Sequence, residues 1–497
     1  MSAFNRTFET SIQLHNISAP EGVEINKSHE YDSYKYGILK ISAEKISINT
    51  RPMFFRFTTD CSGSMSDKCK DGRTKMDHIQ HTMSNMIRFF ADSDEATIYI
   101  QVHAFDDKIH EIISTTRVTK DNVASLIVAI GKMYPMQSTN IELALTDAAK
   151  CIEKHIIENP EHSTSHIFLT DGDATAGNFD ADYLASLVKE NTSSMFLAFG
   201  LQHSAGTMQK LGSANARSSN WLIDNLENAG LVYGEILNNE LFKVLEQVEI
   251  FVVGGVIYDY KKGEFVEKLY LGDLVTETQK TYHILAKDGN ISARISGVKY
   301  NNSSEHYHVC EGLAVCESES CDLTPHIFRL RTQQYMFESK KFENESVSAR
   351  HGNALRRQNA IPALQLPDLE EDQFQPRQPT LLEIFKNKMN DFLRVMQKYL
   401  KEDDPFMKGL CDDMYLTIHS VGTHNQRMCV GARENSQGSQ QCYNVADFNL
   451  DLDDDYTLSQ MSTNNAYQTP SVLKLMRTCS APMKKNTQSD DEQGNEV

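Results

Sequence analysis

A chain of 497 residues with 68 acidic and 49 basic side chains, formally −19, is too long for one compact core, so several folded regions and a tail are expected. That charge excludes a phosphate backbone as the main partner, since repulsion replaces the counterion release that drives nucleic-acid binding, and it favours partners with basic surfaces. Ten cysteines without framework spacing read as reduced thiols, residues 1–10 lack the apolar core of a signal peptide, and the longest apolar run, 250–258, is too short to span a bilayer; together these predict a cytoplasmic protein.

Along the chain, residues 36–49 alternate apolar and polar with the two-residue period of a half-buried strand. The run 53–59 reads as a buried strand ending on Asp60-Cys61-Ser62-Gly63-Ser64. Between 76 and 90, Ile79, Met83, Met86, Ile87 and Phe90 recur at helical spacing, followed by a strand at 96–104 and a short edge strand near 109–114. Helices at about 120–131, 140–158 and 180–190 then alternate with strands at 166–170, 194–200 and near 221–223, before a closing helix over 227–248. Alternation of this kind predicts an α/β unit: a doubly wound, mostly parallel sheet covered on both faces.

From 249 the pattern turns to strands alone, at 249–260, 264–271, 280–287, 290–300 and 307–316, with Gly, Asn and Ser turns between them. This predicts an antiparallel β-sandwich. The strand at 36–49 is expected to join it, which makes the α/β unit of 51–248 an insertion between sandwich strands in 1–50 and those of 249–324. Helices are expected at 325–343, 379–402 and 404–417, giving a helical region over 325–420 with a proline- and charge-rich linker at 370–379. Residues 421–497 read as a mostly disordered acidic and polar tail, with the runs 451–455, 459–465 and 484–497 unable to bury a core. Within it, 469–477 has a Thr-Pro start and an apolar stripe; composition favours a solvated tail there over a short helix formed on a partner.

Chemistry concentrates where three segments end. Asp60, Ser62 and Ser64 follow one buried strand, Ser138-Thr139-Asn140 opens a helix, and Thr170-Asp171-Gly172 closes a second buried strand. Loops after the carboxyl ends of neighbouring parallel strands meet in one crevice, so Asp60, Ser62, Ser64, Thr139 and Asp171 can converge on a single cation. Oxygen-only ligands suit a hard ion such as Mg²⁺ (or Mn²⁺) and disfavour zinc and copper. Two carboxylates and three neutral hydroxyls leave the ion electrophilic, with a coordination position for the Asp or Glu of a protein partner. The plainer alternative, hydroxyls that merely cap a helix and acids that merely end strands, is disfavoured by three pieces in order.

Asp60-x-Ser62-x-Ser64, Thr139 and Thr170-Asp171-Gly172 resemble the metal-ion-dependent adhesion site (MIDAS) of von Willebrand factor A (vWA) domains, and the order of elements fits that family from about 53 to 250. One departure is Gln137-Ser138, where the family usually has two glycines. Together with Gly272-Asp273-Leu274 closing a strand, the whole arrangement resembles extended A-domain proteins of plants, often attached to a zinc-binding ubiquitin-ligase finger, which this sequence lacks. The resemblance implies a non-enzymatic, cation-dependent protein-protein interaction module. Its alternatives are a structural or assembly scaffold with a vestigial metal site and a substrate-recruiting subunit of a ubiquitin-ligase-type complex.

Two competing readings are weaker. His306, His308, Cys310, Cys316 and Cys321 are zinc-compatible, but lack paired Cys-x-x-Cys knuckles. Asp60 at a strand end suggests an aspartyl phosphatase, yet Ser62 stands where that chemistry wants a second acid. No nucleophile elbow, phosphate loop or H-E-x-x-H helix occurs elsewhere. Partner choice is assigned to the loops 66–74, 105–108, 134–138 and 172–179.

Overall fold

In the computed structural model, residues 8–14, 23, 29–46, 51–69, 71–190, 192–199, 205–223, 229–287, 291–300, 306–317, 322–342, 379–401, 404–423, 426–440 and 469–481 are described. The chain opens with an antiparallel pair, β1 (Phe8–Leu14) and β2 (Lys35–Ala43). It then leaves that sheet to build a second one. The order is β3 (Met53–Asp60), α1 (Lys75–Asp92), β4 (Ile98–Phe105), β5 (Ile109–Arg117), α2 (Val123–Ile130), α3 (Ile141–Glu158) and β6 (Ser163–Thr170). It continues with α4 (Ala181–Ser186), β7 (Ser193–Phe199), α5 (Ala205–Gly212), β8 (Ser218–Ile223) and α6 (Ala229–Leu241).

These six strands lie in the order β5-β4-β3-β6-β7-β8, parallel throughout except for the antiparallel edge strand β5. Every residue of β3, β6 and β7 is buried, because helices cover both faces of a parallel sheet; this is why they read as continuous apolar runs. Thr74 starts α1 with a capping box, its hydroxyl accepting from the Asp77 N–H while the Asp77 carboxylate accepts from the Thr74 N–H.

After α6 the chain returns to the first sheet with β9 (Lys243–Val253), β10 (Gly255–Asp259), β11 (Glu264–Val266), β12 (Lys268–Val275), β13 (Gln279–Ala286), β14 (Ser292–Tyr300) and β15 (His306–Glu317). Nine strands pair in the order β11-β10-β13-β2-β1-β15-β14-β9-β12. Ile12, Leu39 and Ile284 from one half share a core with Val248, Ile250 and Ile295 from the other, so the sheet folds over upon itself. The α/β unit is thus inserted between β2 and β9 of a largely antiparallel sheet. One pair departs from the expected antiparallel pattern: β1 and β15 run parallel and join the two halves.

Two boundaries and one helix differ from the sequence pattern. The closing helix ends at Leu241, and 243–253 is strand. Val244, Leu245 and Val248 fit a helical stripe equally well, but from Gln247 onward Val248, Ile250 and Val252 are buried while Gln247, Phe251 and Val253 are exposed, the two-residue period of a sheet. The expected strand 249–260 is broken at Gly254, whose φ of 82° turns the chain where a Cβ would be strained. The short α5 was not legible.

Helices α7 (Thr324–Ser339), α8 (Leu381–Lys398), α9 (Pro405–Ser420) and α10 (Gln426–Ser439) follow. Phe328, Met389, Phe392 and Met414 from three of them pack with Tyr36, Ile38, Val256 and Leu285 from the outer face of β2, β10 and β13. Buried Arg329 ties α7 to its neighbours, donating to the carbonyls of Thr281 (3.0 Å) and Gln437 (2.8 Å).

The tail expectation is corrected at two places. Residues 426–439 are helical, and α11 (Pro470–Cys479) docks on its own chain instead of remaining solvated or waiting for a partner. A Cβ on Gly234 of α6 would lie 2.5 Å from the Met476 Cα, so the two helices meet backbone to backbone. Leu475 and Cys479 join the α/β core, and Asn85 of α1 donates to the Cys479 carbonyl at 3.0 Å. The stretches 451–455, 459–465, 484–497 and 370–378 lie outside the described residues, as do Cys321 and the side chains of His306, His308, Cys310 and Cys316. Among the described residues, no helix is long and apolar enough to cross a membrane.

Candidate metal centre

Adjacent parallel pairing sets Thr59 of β3 beside Leu169 of β6, so the residues that follow, Asp60 and Thr170, stand side by side at the carboxyl edge. The Asp60 carboxylate accepts from the Thr170 hydroxyl at 2.6 Å and from the Ser62 N–H at 2.7 Å. The chain then turns through a single 3-10 turn, Gly63–Ser66, which brings the Ser62 and Ser64 hydroxyl oxygens 3.0 Å apart. Ser64 donates onward to Asp171 at 2.7 Å. Four of the five anticipated residues are therefore linked by hydrogen bonds from Asp60 to Asp171.

Thr139 sits on the adjoining loop, buried, with its backbone fixed: its N–H donates to the Thr175 hydroxyl and its carbonyl accepts from the Thr175 N–H, both at 2.8 Å. The next N–H, of Asn140, donates to the Asp106 carbonyl at 2.9 Å, and the Asn140 side chain caps α3 by accepting from the Leu143 N–H at 3.0 Å. Although Gln137-Ser138 replaces two glycines, this loop still approaches closely. Gly63 N–H donates to the Gln137 carbonyl at 3.3 Å, and a Cβ on Gly63 would meet the Met136 carbonyl at 3.2 Å. The glycine needed for close contact is on the other loop.

The charges leave room for a cation. Asp60 and Asp171 are both buried. Burial pushes the Asp60 carboxyl up to about 6, the Asp171 charge adds to this, and the bonds from Thr170 and Ser62 pull it back only in part. Lys75, the first residue of α1, which sequence reading passed over, donates to Asp171 at 2.7 Å and lies 3.3 Å from Asp67. Burial alone would lower its ammonium, but those two carboxylates raise it. One lysine leaves a buried two-carboxylate site one charge short of neutral. With only carboxylate and hydroxyl oxygens facing one another, the donor set fits a small hard divalent ion.

A second cluster was invisible to motif reading. His103 of β4 and Asp147 and Cys151 of α3 bring one potential ligand atom each to within 4.8 Å of one another. Here the cationic position is filled, since the fully buried Arg56 guanidinium of β3 bonds Asp147, which also accepts from His103 Nδ1 at 2.7 Å. Burial would raise the Asp147 carboxyl, but His103 and Arg56 hold it below the usual range. This is an ion-pair network clamping α3 to the sheet.

Comparison with known proteins bears on the α/β unit. The model of the von Willebrand factor type A domain matches residues 56–231. No curated protein sequence matches the chain. Among solved structures it is similar to a von Willebrand factor type A protein from Catenulispora acidiphila, at 14% identity over 70% of this chain and 82% of that one, with a TM-score of 0.47. It is also similar to the ArnB paralog VWA2 from Sulfolobus acidocaldarius, at 11% identity over 88% of this chain and 100% of that one, again with a TM-score of 0.47. A further similar structure is proximal thread matrix protein 1 from the mussel byssus with a zinc-occupied MIDAS motif, at 16% identity over 36% and 44% of the two chains and a TM-score of 0.29. VWA domains are generally used for protein-protein interaction and often depend on a metal. On the family match and the strand order together, residues 56–231 of this chain are a von Willebrand factor type A domain.

Proposed function

We propose that this protein is a non-enzymatic interaction module in which Asp60, Ser62, Ser64, Thr139 and Asp171 hold Mg²⁺ or Mn²⁺ and a protein partner supplies an Asp or Glu to the ion. The bound ion would supply an electrophilic position for that carboxylate. The observation that carries the reading is the hydrogen-bonded chain from Asp60 through Ser62 and Ser64 to Asp171, with Asp60, Ser62 and Asp171 buried and two carboxylates facing one lysine. The net charge of −19 supports a protein partner over a nucleic acid. We place its action in the cytoplasm; the described cysteines Cys61, Cys151, Cys411, Cys429 and Cys479 are thiols, in keeping with a reducing compartment. The units we assign are the VWA domain, the folded-over sheet with its strands on both sides of the insertion, and the helical region.

A second reading has one observation in its favour. Lys75 already pairs with Asp171, as it would in a scaffold whose metal site is vestigial and whose helices make the contacts. Titration calorimetry with Mg²⁺ separates the two. Saturable uptake by the wild type is expected, weakened about tenfold or more by Asp60→Ala, equivalent to about 1.4 kcal/mol, and strengthened by Lys75→Met, which removes a competing positive charge. Pull-down of partners should then follow magnesium and vanish with EDTA. A wild type that takes up neither Mg²⁺ nor Mn²⁺ hands the case to the scaffold.

A further inference from the structure

Where β8 and α6 of the VWA domain face the folded-over sheet, a cavity of about 590 Å³ opens, lined by neither Asp60 nor Asp171. Small-ligand sites span about 300–1,000 Å³ and favour such junctions. Several acidic groups of the lining already have cations. Lys243 Nζ lies 2.8 Å from Glu240 and 2.9 Å from Asp273, and Lys262 lies 3.8 Å from Asp259.

Two cations of the lining are left over. Among the described residues, the ammonium groups of Lys261, exposed at the rim, and Lys280, half-buried, have neither a carboxylate within 4.0 Å nor a hydrogen-bond partner. Both stand at the same end of one strand pair: the antiparallel register that sets Ile257 opposite Ile284 runs towards Lys261 on one side and Lys280 on the other. Crowding by protein holds both ammonium groups below the usual lysine range. Asp259 and Glu434 oppose this at Lys261, and Asp273 and Glu235 at Lys280, without reversing it. Two buried hydroxyls of the lining, on Tyr258 and Ser218, also have no hydrogen-bond partner. Buried polar atoms are rarely left so.

We propose that this cavity binds a small phosphate-bearing polyanion, whose oxygens pair with Lys261 and Lys280 and accept hydrogen bonds from Tyr258 and Ser218. More than one phosphate suits two lysines on separate strands, and hydroxyl donors beside ammonium groups match the several acceptor oxygens that each phosphate presents. The site is independent of the metal centre.

Titration calorimetry of the full chain with sodium tripolyphosphate tests it, run in EDTA so that the oxygens around Asp60 cannot contribute through a metal. Saturable binding is expected, at least tenfold weaker in Lys280→Met and in Lys261→Met, recovered in Lys280→Arg, and unchanged in Asp60→Ala. Circular dichroism of each variant establishes that it is folded. No binding, binding that disappears in EDTA, or equal binding by wild type and both Met variants overturns the proposal. In a parallel arm with ATP, tighter binding than of tripolyphosphate assigns the ligand to an organic phosphate, and weaker binding to an inorganic polyphosphate; either keeps the phosphate assignment.

Discussion

Asp147→Ala is expected to lower folding stability by about 3–5 kcal/mol, the usual cost of stranding a buried charge. Arg56 lies on the central strand β3 with no solvent exposure, and Asp147 is the carboxylate bonded to its guanidinium. That bond runs from Arg56 Nη2, and the Nε and Nη1 of Arg56 have no acceptor among the described residues. Burial already lowers the guanidinium from its ordinary value, and Asp147 is the largest influence raising it back. Truncating Asp147 also releases His103 Nδ1, so two buried polar groups of the sheet lose their common partner. Paired replacement should behave differently: Arg56→Met with Asp147→Leu is expected to recover most of the loss, since buried ion pairs often exchange with packed apolar groups at little cost. Urea unfolding of the single and double variants measures both. A loss below about 1 kcal/mol for Asp147→Ala would show that water reaches Arg56 and that the network is not a clamp.

Acidification from pH 7 to 5 is expected to destabilise the fold by at least about 3 kcal/mol. Burial brings His166 down to about 3 and His155 to about 4. His166 Nε2 lies 3.0 Å from the Thr58 hydroxyl, and the His155 ring stacks on Phe54 at 3.7 Å. An unfolded histidine takes its proton near pH 6.5, so between that value and the native ones the unfolded chain binds more protons and stability falls as pH falls. Each histidine contributes about 2 kcal/mol to this loss at pH 5. Asp60 acts in the opposite sense. Its native value of about 6 lies above the unfolded one, so it stabilises the fold on acidification, by about 1 kcal/mol at pH 5. His326, brought down to about 4 by burial, and His283, lowered for the same reason, reinforce the loss. Urea midpoints at pH 7, 6 and 5 in EDTA give the slope; flat or rising stability towards pH 5 would mean that these rings are hydrated.

Much of the VWA domain was legible because its signals are local. A strand buried on both faces needs a continuous apolar run, as Met53–Asp60 has, and an 18-residue amphipathic helix announces itself by the spacing of Ile79, Met83 and Met86. The grouping of Asp60, Ser62, Ser64 and Asp171 in the candidate site was legible for a related reason: these residues sit at strand ends, and parallel order brings such ends together. Legibility failed where one stretch satisfied two periods, as at 243–248, or where a segment's fate depended on a surface elsewhere. Residues 470–479 have the composition of a solvated tail with a faint apolar stripe. What keeps them in place is Gly230 and Gly234, more than two hundred positions away.

The sequence by itself determined most elements of the VWA domain and the oxygen-bearing side chains at the ends of two of its central strands, because periodicity and chain order act over a few residues. Only the tertiary structure decided that β1 and β15 close one sheet over a shared core, that Lys75 faces Asp171, that Arg56 meets Asp147, and that Lys261 and Lys280 share a cavity. Coulomb and packing energies depend on distance through space, and distance along the chain carries no record of it.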